Sequence, residues 1–91
     1  MTGLETTIYT VTNPPCVLER GPVEIADHEH QRADVFRGVV VRDTETGRYL
    51  GDCWLLAPMR WCWRTLDARH YGTTDHLRQA TRSVIVCAKA A

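Results

Sequence analysis

A chain of 91 residues, 44% hydrophobic and 24% charged, has the size and make-up of one small globular domain. That composition excludes wholesale disorder, and a formal net charge of zero excludes a uniformly basic nucleic-acid module. The core is modest at this length, since folding buries roughly 60–65% of the unfolded surface.

Glu5–Thr12 is rich in β-branched and aromatic residues and reads as a strand. Asn13-Pro14-Pro15 ends it, because proline removes a donor and restricts the residue before it. Cys16–Glu19 and Val23–Ala26 read as two short extended pieces broken at Arg20-Gly21-Pro22. Asp27–Asp34 is polar throughout and reads as a loop or short helical turn. Val35–Arg42 is the clearest strand. Thr44-Glu45-Thr46-Gly47 follows it, with Gly47 placed to take the positive φ of a type I turn closed by a glycine bulge. Tyr49–Leu56 then pairs back antiparallel, and Ala57-Pro58-Met59-Arg60 makes a second turn, with proline at the position that favours it. Trp61–Leu66 completes a meander, and His70-Tyr71-Gly72 breaks it.

Thr73-Thr74-Asp75 offers N-caps and an acid suited to a helix start. Beyond them Leu77, Ala80, Val84, Cys87 and Ala88 form one helical stripe, which predicts a helix over 74–89. The β-branched run Ser83–Cys87 keeps a strand open as the alternative for its end. The expected fold is α+β within a single domain spanning 1–91. An antiparallel sheet of four to five strands is built on the 35–66 meander, with the C-terminal helix packed on one face and 1–34 as an acidic extended segment.

Strand parity sets the faces of this meander. With Pro58-Met59 at the centre of the second turn, Trp54 lies opposite Trp63 and Leu56 opposite Trp61. All three indoles then share one face with Phe36, Val40 and Leu50. Val39, Val41, Tyr49, Cys53, Leu55, Cys62 and Leu66 take the other. A one-residue slip would move Trp54 across. Both faces are apolar and one helix covers only one. The second needs cover from residues 1–34, from a twin subunit or from a partner.

Charge is unevenly spread. Residues 1–34 carry Glu5, Glu19, Glu24, Asp27, Glu29 and Asp34 against Arg20 and Arg32, a balance of −4. Residues 35–91 carry nine Arg or Lys against five acids, a balance of +4. Lys89 is the single lysine. Such arginine usage fits a GC-rich bacterial or phage genome, and also planar, bidentate pairing with carboxylate or phosphate. Cys16, Cys53, Cys62 and Cys87 form no C-x-x-C pair. With no charged-then-apolar leader and no run of eighteen apolar residues, the expectation is a cytoplasmic chain with reduced, buried thiols and no membrane association.

Trp54, Trp61 and Trp63 with Arg60, Arg64 and Arg69 combine the residue types most enriched at interface hot spots. The same mixture suits single-stranded nucleic acid, with bases on the rings and phosphates on the guanidinium groups. An aromatic core under the first third of the chain is the structural alternative. Arg78 and Arg82, at i and i+4, form a secondary basic patch or a solvated helix face. His28 and His30 beside Asp27 have a metal-ligand spacing, though zinc needs three or four ligands. Cys53 or Cys62 with His70 or His76 is the only conceivable nucleophile set, and thiols alternating within a strand are more often buried than activated. The six glycines stand singly, so no phosphate loop is present.

The reading is a non-enzymatic binding protein, with no cofactor, that engages another protein through the Trp/Arg surface. A small phage or mobile-element inhibitor of a host enzyme fits that size and mixed charge. The alternative is a nucleic-acid-binding accessory protein using Arg60, Arg64, Arg69, Arg78 and Arg82. Three strands plus a helix over roughly residues 35–90 resemble in layout the arm-binding domains of tyrosine recombinases, which implies a sheet in the DNA major groove; that likeness is of topology alone. A weaker alternative is a metal-binding module at His28 and His30. Monomer and homodimer both remain open.

Overall fold

The computed structural model describes residues 8–12, 15–27 and 31–90. Six strands follow one another as an antiparallel meander: β1 (Ile8–Thr12), β2 (Pro15–Asp27), β3 (Arg32–Arg42), β4 (Tyr49–Ala57), β5 (Arg60–Thr65) and β6 (Tyr71–Thr74). A single helix, α1 (Leu77–Ala90), packs across one face. The class is α+β as expected, but the sheet has six strands rather than four to five.

The two unexpected features of the sheet have local causes. Pro22 does not break β2; it stands in the strand opposite Arg37. It lies past Ile8–Glu19, the last pair with β1 among the described residues, and proline is placed in sheets where its missing N–H is not needed. The segment Tyr71–Thr74, expected to end the sheet, pairs with Trp61–Arg64 as a sixth strand. Its start is fixed by a tight loop in which Thr65 N–H donates to the His70 carbonyl at 2.9 Å. The described strands of the first third, β1 and β2, therefore extend the sheet in its own plane.

Both predicted hairpin turns form. Gly47 adopts φ +70°, and its N–H donates to the Asp43 carbonyl at 2.9 Å. Ala57 pairs with Arg60 across Pro58-Met59, with Met59 at φ +60°. Each hairpin also carries a register shift in β4. Val41 faces Gly51 while Arg42 faces Tyr49, so Leu50 is an extra residue and turns into the core. Leu55 faces Trp61 while Ala57 faces Arg60, so Leu56 is a second extra residue.

The core lies between the sheet and α1. Cys16, Leu18, Val39, Val41, Leu50 and Cys53 from the sheet meet Ala80, Val84 and Ile85 from the helix. The stripe is helical throughout, so the β-branched run Ser83–Cys87 follows the burial pattern and not strand propensity. Thr81 is also buried, its hydroxyl donating to the Leu77 carbonyl at 2.9 Å. Gly51 allows the close approach: a Cβ there would lie 2.9 Å from a Val84 methyl. The helix starts at Leu77, after the expected Thr73-Thr74-Asp75 cap, because Thr73 and Thr74 belong to β6.

Candidate binding face

The extra residue Leu56 decides where the tryptophans point. Trp54 faces Cys62 and Leu55 faces Trp61, so Trp54 lies on the side opposite Trp61 and Trp63. The expected shared face is thus corrected: one bulge residue reverses the parity of everything before it in β4. Trp61 and Trp63 are half-buried and pack against the core beside α1. A Cβ at Gly72 would lie 3.1 Å from the Trp63 ring, so that indole rests on the β6 backbone.

Trp54 stands on the face that carries no helix. Its row is Gly21, Gly38, Trp54, Cys62 and Thr73; the neighbouring row is Glu19, Val40, Asp52, Arg64 and Tyr71. Arg64 and Asp52 are direct cross-strand partners joined by a bidentate pair. Nε donates to Oδ1 at 2.8 Å and Nη2 to Oδ2 at 3.1 Å. The fork so fixed places the guanidinium carbon 5.4 Å from the centre of the Trp54 ring, within cation–π range. The arrangement repeats beside it: Arg42 lies 5.4 Å from the Tyr49 ring and 3.5 Å from Glu19. Arg64 and Arg42 are thus each held by an acid and stacked on an aromatic ring.

The rest of the face is apolar and partly self-covered. Val23 is buried although no helix lies over it. A Cβ at Gly38 would meet the Cys53 carbonyl oxygen and come within 2.5 Å of a Val23 methyl, so Val23 occupies the space a side chain at 38 would fill. Phe36, Val40 and Trp54 remain half-buried, and Tyr71 is exposed.

The other arginines distribute around this centre. Arg60 starts β5 on the Trp54 side and is exposed. Arg69 is exposed in the β5–β6 loop, its N–H donating to Asp67 at 3.0 Å. Arg78 and Arg82 lie on α1 and so belong to the opposite side of the sheet. Arg78 rims a cleft of about 480 Å³ between β1 and the start of α1, lined also by Val11, Leu18 and Leu77. Of the residues expected together, the fold gathers Trp54, Arg60 and Arg64. It separates Trp61, Trp63, Arg78 and Arg82 from them.

Sequence reasoning missed Asp52. Aspartate is depleted in strands, so one flanked by Gly51 and Cys53 in a predicted strand was the available signal. Burial disfavours the thiolate form of Cys16, Cys53 and Cys62. Burial, and secondarily Asp52, pushes Cys53 up to about 12. Burial also raises Cys16 and Cys62, with Arg60 opposing the shift in the latter. The Arg69 N–H and then the Thr65 hydroxyl hold Asp67 below the usual carboxylate range. His28 and His30 lie outside the described residues. Among the described residues no group of three or more His, Cys, Asp or Glu is placed to hold a metal ion, and no helix is long and apolar enough to cross a membrane. No protein-family model, curated protein or solved structure matches the chain.

Proposed function

We propose that this protein is a non-enzymatic binding module that engages another protein through the helix-free face of its sheet. Trp54 and Arg64 stand at the centre of that surface and Arg60 at its rim. The observation that carries this reading is the Asp52–Arg64–Trp54 arrangement. A half-buried indole is overlaid by a guanidinium that a bidentate pair holds in one orientation. Such preorganisation lowers the entropy lost on binding, and Trp and Arg are the side chains that dominate measured hot spots. The core on the opposite side is complete without Trp54, so its partial exposure is not needed to close the fold.

The test is a capture experiment with tagged wild type, Trp54→Ala, and an Arg78→Ala/Arg82→Ala control, in extract from the source cell. A partner held by wild type and by the control but lost with Trp54→Ala, at least about thirtyfold in Kd, supports the reading. A partner lost with the helix variant and kept by Trp54→Ala overturns it. Binding of single-stranded DNA that needs Trp54 and falls steeply with salt would replace it with the nucleic-acid reading.

A further inference from the structure

The last pair that β3 shares with β4 is Gly38–Trp54. Beyond that point the two strands part. β3 continues through Arg37 to Arg32, paired with β2 alone, and β4 continues through Leu55 to Ala57, paired with β5 alone. The long β2–β3 hairpin and the β4–β5 turn therefore form the two arms of a fork, with Trp54 at its base. Among the described residues, Arg32–Arg37 makes no ladder on the β4 side. In an antiparallel ladder alternate residues direct both N–H and C=O to each neighbour, so along Ala33–Arg37 this edge has donors and acceptors that no described strand fills.

The two edges of the hairpin are not alike. The β2 edge contains Pro22, which removes a donor and blunts that edge against an added strand. The β3 edge contains no proline. Its side chains suit one kind of occupant. Val35 is 65% exposed on β3, and Leu56 and Met59 are 48% and 69% exposed on the facing arm. Arg37 and Arg60 are exposed and make no ion pair with another described residue. Arg37 belongs to the helix-side row of β3 and Arg60 to the Trp54 side of β5. The two guanidinium groups thus bracket the fork from both faces of the sheet.

We infer that the fork takes up an extended acidic segment of a partner protein, which adds as a strand to the β3 edge. Its backbone pairs with the open edge of Ala33–Arg37, its apolar side chains meet Val35 and Leu56, and its carboxylates pair with Arg37 and Arg60. This rests on the reading of the Trp54 face as a binding surface and names the chemistry of what binds there.

The experiment uses the whole chain and three synthetic peptides, with amide hydrogen exchange as the readout. The first peptide is a heptapeptide alternating glutamate and valine. The second is its twin with lysine for glutamate, and the third is the acidic peptide N-methylated at alternate residues. At ten times its Kd the acidic peptide is expected to slow exchange about tenfold at alternate amides within Arg32–Arg37. The twin and the N-methylated peptide give no protection, and Arg37→Ala or Arg60→Ala weakens binding about threefold each. Equal binding of the twin, binding without protection of those amides, or no binding of the acidic peptide overturns the inference. Protection of the same amides that grows with protein concentration alone also overturns it, since a second copy would then be the occupant. A partner captured through Trp54 while these amides stay unprotected leaves the binding face standing and removes only the added strand.

Discussion

Replacing Arg64 with methionine tests how the candidate site is held. The Asp52 side chain is 9% exposed and the Arg64 side chain 33% exposed. Arg64→Met keeps much of the apolar stem but leaves a buried carboxylate without its two donors. Breaking a buried pair by removing one partner costs about 3–5 kcal/mol. The partial exposure of Arg64 places the loss at the lower end, about 3 kcal/mol, and the lost stacking on Trp54 falls within that figure. For a chain of this length each kcal/mol moves the midpoint by about 4–8 °C, so melting falls by roughly 15 °C. Urea denaturation followed by circular dichroism measures the change, with the slope m unaltered if the unfolded state is the same. The partner variant decides the cause. Asp52→Val combined with Arg64→Leu puts an apolar cross-strand pair in the same place and is expected within about 1 kcal/mol of wild type. If Arg64→Met costs under about 0.5 kcal/mol, or if the double variant is no more stable than Arg64→Met alone, the pair does not anchor this face.

Two further outcomes follow from named contacts. Gly38→Val drives a side chain into the Val23 methyl and the Cys53 carbonyl and is expected to cost at least about 2 kcal/mol in a thermal melt. Gly21→Ala, in the same row with nothing within 4 Å, changes stability by less than about 1 kcal/mol, and equal losses at the two sites would refute the close approach at Gly38. The Cys53 thiol has its folded value raised from 9.0 to about 12, so the folded state holds this proton more tightly than the unfolded state. Its contribution is complete below pH 9 and is lost as pH rises from 9 towards 12, by up to about 1.4 kcal/mol per unit. In Cys53→Ala that slope should flatten, and a slope unchanged between the two proteins would show that the decline has another source.

Much of the architecture was legible where a single residue dictates backbone geometry. Gly47 and Pro58 marked both turns, and the Leu77–Ala88 stripe marked the helix, because those signals are local. What was not legible depends on partners. Pro22 looks like a strand breaker until the pairing with β3 carries β2 straight through it. Tyr71–Thr74 is too short and polar to declare itself, and becomes a strand because β5 offers an open edge. In the candidate site, the side on which Trp54 lies was read wrongly. No glycine or proline stands at position 56 to announce a bulge, so the alternation carried Trp54 to the wrong face. Asp52 acquires meaning only once the register sets it opposite Arg64.

Leu56 behaves like an inserted letter in a two-letter reading frame. Removing it would keep every neighbouring residue and the turn at Pro58-Met59. Read back from that turn, Leu55 would still face Trp61 and Trp54 would still face Cys62, so both would keep their sides. A single-codon deletion at this position would therefore straighten the strand and leave the candidate surface where it is. What would turn that surface inside out is uptake of Leu56 into the ladder opposite Trp61, which carries Trp54 to the helix side and Cys53 to the open one.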